Sequence, residues 1–270
     1  NVFPDYASAV SRIEKHRKWL VDHQIRSFAH YQYNLMYDNV ISIFGKRGTG
    51  KTSVAFTLHK KIEEDSSHVY DVVLPIIIPE VIPDDGSVLG WLLAIVHDQV
   101  SNFEKEYWRV IGRQDYETGY ADFWKNCKRE KADRKDGSLV EELDRLVELF
   151  YAAKYNPANE SSYNLAVGNS VKQSQNYYRF AKEIMRFWDK WILWIKEMNE
   201  AKGNGQERIA PLIYFIFDDV DLAPQKAGEL LSVIIKYLSH PNIVVITTAD
   251  EEMFLEVIEK RLDRDIGRLL

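Results

Sequence analysis

Apolar positions along the chain follow two patterns. Four short, nearly unbroken apolar runs stop at glycine, proline or acidic residues: Val40-Ile41-Ser42-Ile43-Phe44, Val72-Val73-Leu74-Pro75-Ile76-Ile77-Ile78-Pro79, Leu212 to Phe217, and Ile243-Val244-Val245-Ile246-Thr247. They are rich in β-branched and aromatic residues and too short for helices, so they predict strands. Elsewhere apolar residues return at every third or fourth position. That spacing predicts helices over roughly Tyr6 to Tyr33 (Ile13, Leu20, Ile25), Thr52 to Ile62 (Val54, Leu58, Ile62), Gln225 to Leu238, and Glu251 to about Leu262. Strands alternating with helices imply a parallel sheet covered on both faces. The run Leu212 to Phe217 has no charged position, as a strand buried on both faces requires. Pro75 and Pro79 cannot donate to a ladder, which puts the second strand at an edge.

The stretch 84–208 breaks this alternation and reads as mostly helical. Leu139, Leu143, Leu146, Val147 and Phe150 form one stripe at helical spacing; Ile184, Phe187, Trp188, Trp191, Ile195 and Met198 form another. The expected organisation is therefore a first part of an α/β core at 1–83, a helical insertion at 84–208, and a second part of the core at 209–270. Aromatic stripes of this kind read as core or a partner interface rather than as a base-stacking platform. Lys125, Lys128, Arg129, Lys131, Arg134 and Lys135 resemble a basic patch, but Glu130, Asp133 and Asp136 interrupt it, so a solvated charged face is the better reading.

Composition narrows the function classes. With 270 residues, 46% hydrophobic and 28% charged, the chain can bury a sizeable core and is neither disordered nor collagen-like. The balance of 35 basic and 41 acidic residues, −6, counts against a generally basic nucleic-acid binder and leaves room only for a local groove. Cys127 is the single cysteine, so an intrachain disulfide and a four-cysteine zinc site are excluded, and a reduced, cytoplasmic setting is expected. No run of about 18 apolar residues could span a bilayer. The chain opens Asn1-Val2-Phe3-Pro4 without a methionine and closes on a helix-like stretch at Leu270, the pattern of a piece of a longer polypeptide.

Two motifs carry chemistry. Gly45-Lys46-Arg47-Gly48-Thr49-Gly50-Lys51-Thr52 fits G-x-x-x-x-G-K-[ST] and lies between a strand and a helix. Its glycines let backbone N–H groups approach phosphate oxygens, and the following helix offers its positive end to the same anion. Lys51 is expected to reach the β- and γ-phosphates and the Thr52 hydroxyl to ligate Mg²⁺. With glycine at about 7% of residues, a chance match has odds of roughly one in a hundred, and the strand–helix setting lowers them further. The second motif, Ile213-Tyr214-Phe215-Ile216-Phe217-Asp218-Asp219-Val220-Asp221, delivers carboxylates at the carboxyl end of a strand, where ligands of open α/β sheets bind. Asp218 is expected to hold Mg²⁺ through water, and Asp219 to orient and deprotonate the attacking water. Asp221 reads first as a cap for the next helix. Thr247 and Thr248 end the fourth strand, and either could bond a γ-phosphate or the attacking water. Asp250 would cap the helix after them. The seven histidines show no metal-ligand spacing, so the only metal expected is the Mg²⁺ that accompanies a nucleotide.

The series GKRGTGKT, FIFDDVD, IVVITTAD resembles the Walker A, Walker B and sensor-1 order of P-loop NTPases of the AAA+/STAND group, and its DDVD form is similar to that of KAP-like and origin-recognition-like members. The ATPase component of the RADAR antiphage defence system also looks similar. The resemblance covers about 39–79 and 212–262. It implies a three-layer fold with a parallel sheet of order 5-1-4-3-2, whose last strand and helical lid would lie beyond Leu270. It implies ATP and Mg²⁺ as ligands, an oligomeric ring and a protein partner or effector. Arg261, Arg264 and Arg268 follow the last helix; one of them, Arg261 or Arg264 first, could serve a neighbouring subunit's nucleotide in trans, although arginines late in a helix more often meet its negative end or solvent. KAP-type proteins commonly carry membrane helices between the two Walker motifs; the insertion here is polar enough to be soluble. The function expected is an ATP-hydrolysing regulatory or assembly module of a larger bacterial antiviral-defence protein. The alternatives are a nucleic-acid-stimulated loader of origin-recognition type and a nucleotide-gated scaffold with little turnover.

Overall fold

Each strand-type run contributes a strand, the second only a short one, and the expected helical periods are helical where they are described. The computed structural model describes residues 4–22, 39–64, 71–114, 138–154, 163–201, 210–256 and 259. Its elements are α1 (Pro4–Asp22), β1 (Val40–Phe44), α2 (Lys51–Glu64), β2 (Val72–Val73), α3 (Val88–Gln114), α4 (Leu139–Lys154), α5 (Tyr163–Ala201), β3 (Ile213–Phe217), α6 (Pro224–Tyr237) and β4 (Ile243–Ala249). Single 3-10 turns lie at Pro79–Val81 and Val220–Leu222. Residues 251–256 are helical again, and the expected continuations to Tyr33 and Leu262 lie outside the described residues.

The strands make a four-stranded sheet in the order β1-β4-β3-β2, with every pair parallel. The fold is thus α/β, and a fifth strand is not among the described residues. The central strands β3 and β4 are buried at every position, which is why their sequences are unbroken apolar runs rather than alternating ones. The second run falls short of the strand expected over 72–79. Only Val72 and Val73 form a ladder, followed by an isolated bridge from Ile77 to Phe217. Pro75 has no N–H to give, so pairing is kept by its neighbours: Leu74 donates to Tyr214 O at 3.0 Å and Ile77 to Ile216 O at 2.9 Å. Pro79 then opens a 3-10 turn. The segment pairs with β3 alone, the edge position its prolines predict.

Strand alternation sorts the sheet's two faces. Ile41, Ile43, Tyr214, Ile216, Val244 and Ile246 share one buried cluster with Val54, Ala55 and Leu58 of α2 and with Ala9, Ile13 and Leu20 of α1. Phe215, Phe217 and Val245 point to the other face and are equally buried.

Helix α1 also spans the amino ends of the strands. Arg12 donates to Val40 O of β1 at 3.4 Å, His16 Nε2 lies 2.7 Å from Pro241 O before β4, and Arg17 donates to Ala210 O before β3 at 2.9 Å. The Arg17 guanidinium also forks onto Asp71, at 3.1 and 2.5 Å, just before β2. Asp71 in turn accepts from Leu212 N at 3.0 Å and from the Tyr214 hydroxyl at 3.1 Å. Burial, and then the charge of Asp71, hold the Tyr214 pKa well above its ordinary value, so the hydroxyl keeps the proton it donates. One arginine therefore joins α1, the edge strand and β3.

The chain divides into two compact units, residues 1–95 with 206–270 and residues 96–205, and the division falls within α3. In the second unit the expected stripes are interior at every position but Val147, which is half-buried: Leu139, Leu143, Leu146 and Phe150 on α4, with Ile184, Phe187, Trp188, Trp191, Ile195 and Met198 on α5. Trp188 and Trp191 stack at 6.1 Å between ring centres, so they are core residues. The buried Glu104 of α3 accepts from Ser138 Oγ at 2.7 Å and from Val140 N at 3.1 Å, and so fixes the start of α4. The charged stretch with Lys125 to Lys135 lies outside the described residues. No helix among the described residues is long and apolar enough to cross a membrane.

Replacing Arg17 with Met keeps its stem volume but leaves Asp71 buried without its cation, so it is expected to cost about 3–5 kcal/mol of unfolding free energy. Urea denaturation, compared at unchanged slope, reads that loss directly.

Candidate functional site

The two chemistry-bearing segments leave adjacent parts of the same sheet edge. β1 passes into the glycine loop 45–50, and α2 starts at Lys51. Gly45 N donates to Ala249 O at 3.2 Å, tying the start of the loop to the end of β4. The loop must then turn sharply. Gly48 and Gly50 take φ of 84° and 90°, a region that side chains rarely allow. A Cβ on Gly45 would lie 2.6 Å from Thr49 Oγ1. Thr49 folds back to bond Lys46 O through both its N–H, at 3.2 Å, and its hydroxyl, at 2.8 Å. Lys51 is only 8% exposed, and its ammonium sits within the loop, donating to Gly45 O at 2.6 Å and Lys46 O at 3.2 Å. Lys46, Arg47 and Thr52 are exposed around it. The result is a tight turn carrying cations at a helix N-terminus, an arrangement suited to an anion.

The acids come from β3. Asp218 is 1% exposed, and its N–H donates to Ile77 O at 2.9 Å. Register puts Phe217 level with Thr247, so Thr248 stands beside Asp218. The Thr248 hydroxyl donates to Asp218 Oδ1 and accepts the N–H of Asp219 at 2.9 Å. Asp218 Oδ2 has no partner although it is buried. Asp219 has φ 52° and ψ 47°, the left-handed conformation, and among the described residues it is the only non-glycine with positive φ. Its pKa is raised, first by burial and then by the negative charges of Asp218 and Asp221, while Lys51 and Arg47 pull it down. Pairing of β1 and β3 on either side of β4 brings the loop and the acids to the same carboxyl edge of the sheet.

The two threonines separate. Alternation turns Thr247 to the opposite face, where its hydroxyl donates to Ser42 Oγ at 3.0 Å, and Thr248 alone joins the acids. Ser42 was not marked by sequence reasoning, although it is the one polar residue of its run. Asp221 does not cap α6, contrary to expectation. The cap position is Ala223, without a side-chain bond, and Asp221 lies in the 3-10 turn, 5% exposed with Oδ1 unpartnered. The turn draws it back towards the sheet before the helix begins. Asp250 does cap, accepting from Glu252 N at 3.1 Å and Met253 N at 3.4 Å. Arg261, Arg264 and Arg268 lie outside the described residues. Among the described residues, no group of three or more histidines, cysteines or acids could hold a metal ion. No protein-family profile matches the chain, and no curated protein matches it.

Two outcomes follow from this geometry. Thr248→Val strands Asp218 Oδ1 and the Asp219 N–H in the interior, and is expected to cost about 1–3 kcal/mol in a denaturant titration, with Thr248→Ser close to the parent. Asp219 holds its proton more tightly folded than unfolded, so its ionisation lowers stability as pH rises through and above the ordinary aspartate range. Asp219→Asn removes that repulsion and also suits the left-handed conformation. The variant is expected to melt at or above the parent at neutral pH, and the difference is expected to vanish below the ordinary aspartate pKa.

Proposed function

We propose that the chain is the core of a P-loop NTPase that binds Mg-ATP on the loop Gly45–Thr52 and hydrolyses it with Asp218 and Asp219. The observation that carries this reading is the buried Lys51 inside a glycine loop that shares the carboxyl edge of a parallel sheet with an acid pair. The strand order β1-β4-β3-β2 supports it, being the four-strand portion of the order 5-1-4-3-2 that such a fold carries.

In this reading the loop amides other than those of Gly45 and Thr49, with Lys46 and Arg47, surround the phosphates, and Lys51 neutralises charge on the β- and γ-groups. Thr52 and the unpartnered Oδ2 of Asp218 are the protein groups that fit a hydrated Mg²⁺. When bound, the metal neutralises charge developing on the phosphate oxygens. Asp219 accepts a proton from water as the water oxygen bonds to the γ-phosphorus and the bond to the β–γ bridging oxygen breaks, giving ADP and phosphate. Its raised pKa makes it a stronger base than an ordinary aspartate. Thr248 keeps both acids in place. The broader role, an oligomeric ATPase module that controls a partner in a bacterial antiviral-defence protein, rests on the motif resemblance.

Lys51→Ala is expected to weaken Mg-ATP binding by on the order of a hundredfold. Asp219→Asn is expected to keep binding while kcat falls by about 10²–10⁴-fold. Phosphate release and equilibrium binding measured on both variants check the pair; tight Mg-ATP binding by Lys51→Ala removes the loop assignment. Particle size with and without ATP tests assembly, and a monomer under both conditions removes it.

A further inference from the structure

Two routes lead away from Asp218, and they meet again. One follows the chain through Asp219, the turn Val220–Leu222 and Ala223 into α6. The other crosses the hydrogen bond from Asp218 N to Ile77 O, then follows the turn Pro79–Val81 and residues 82–87 into α3. They close on one face of α6. Lys226 Nζ donates to Pro83 O at 2.8 Å, to Asp84 O at 3.3 Å and to Gly86 O, so all three ammonium donors go to the loop's carbonyls. Glu229, three residues on, accepts the N–H of Val88, the first residue of α3, at 2.9 Å.

The held loop is itself tight. Ile82 N donates to Pro79 O at 3.2 Å and Gly86 N to Pro83 O at 2.9 Å, and a Cβ on Gly86 would lie 3.1 Å from that same carbonyl. Ser87 supplies the next caps of α3, to Gly90 N and Trp91 N at 3.0 Å each. The first turn of α3 is thus held jointly by its own serine and by two side chains of α6. That helix begins five residues beyond Asp219, whose left-handed backbone sets the direction in which the chain leaves the sheet.

We propose that residues 82–88 and the first turns of α3 are the response element of the acid site, coupled to it through the Lys226–Glu229 hold on α6. This rests on the nucleotide reading above. A ligand held at the free Oδ2 of Asp218 draws on the same carboxylate whose Oδ1 accepts the Thr248 hydroxyl, and the Asp219 N–H shares that hydroxyl. The turn Val220–Leu222 and α6 must adjust together, and the carbonyls bonded to Lys226 adjust with them. Lys226 and Glu229 touch neither the glycine loop nor the acids in this arrangement, so they act as positioning residues.

Hydrogen exchange of the whole chain tests the coupling, with and without Mg²⁺ and the β,γ-imido analogue of ATP. Binding of the analogue is measured separately by displacement of a fluorescent nucleotide. The expected result is roughly fivefold slower exchange over 82–93 in the parent on binding. Lys226→Met should bind the analogue as the parent does and lose that response, and Lys226→Arg should restore it. Glu229→Ala, which removes only the Val88 contact, gives a second reading should Lys226→Met fold poorly. Binding without any change over 82–93 overturns the coupling alone, as does an undiminished response in Lys226→Met or Glu229→Ala. Absence of binding by the parent overturns the nucleotide reading and the coupling with it.

Discussion

Parallel pairing of β3 with β4, with Phe217 level with Thr247, carries most of the other features at the carboxyl edge. One residue further along, the register sets Thr248 beside Asp218, so a single hydroxyl can satisfy both the carboxylate and the amide of Asp219. Held in this way, Asp219 sustains a left-handed backbone that a non-glycine residue adopts at a cost. A slip of one residue would turn Thr248 away and bring Thr247 to the acids' face, because side chains alternate across a strand. The same pairing extends to β1, where Gly45 is bonded to Ala249, and so it fixes the glycine loop relative to the acids.

The two ends of the sheet do different work. At the amino ends, Arg17, Asp71 and Tyr214 form a buried, nearly saturated network, and α1 lays side chains across successive strands. Such a network ties α1 to the sheet through several shared partners, although Arg17 Nε keeps none. At the carboxyl ends the accounting is deliberately incomplete in physical terms: Asp218 and Asp221 each keep a buried oxygen without a partner. A folded chain tolerates such uncompensated groups where a ligand or ordered water supplies the missing partner.

Much of this was legible beforehand, for identifiable reasons. β3 and β4 announced themselves because strands buried on both faces must be apolar throughout. The edge position of β2 followed from the missing N–H groups of its prolines, yet the same prolines cut the ladder to two residues, which run length concealed. The glycine loop was readable because positive φ at Gly48 and Gly50 admits few other residues. The role of Asp221 was misread, since a cap and a buried turn residue look alike in a string of letters. Arg17 gave no signal either: its partners lie 54 to 197 positions away along the chain.

Local backbone chemistry, then, is what can be read from the letters alone: where the chain extends, where it coils, where it must turn, where a lysine opens a helix and where two acids end a strand. These follow from short-range sterics and from periodicity. Tertiary structure decided which threonine meets the acids, that Asp221 turns inward, and that Lys226 and Glu229 hold the start of α3. Each depends on strand register or on contacts between segments distant in the chain, and no local preference encodes them.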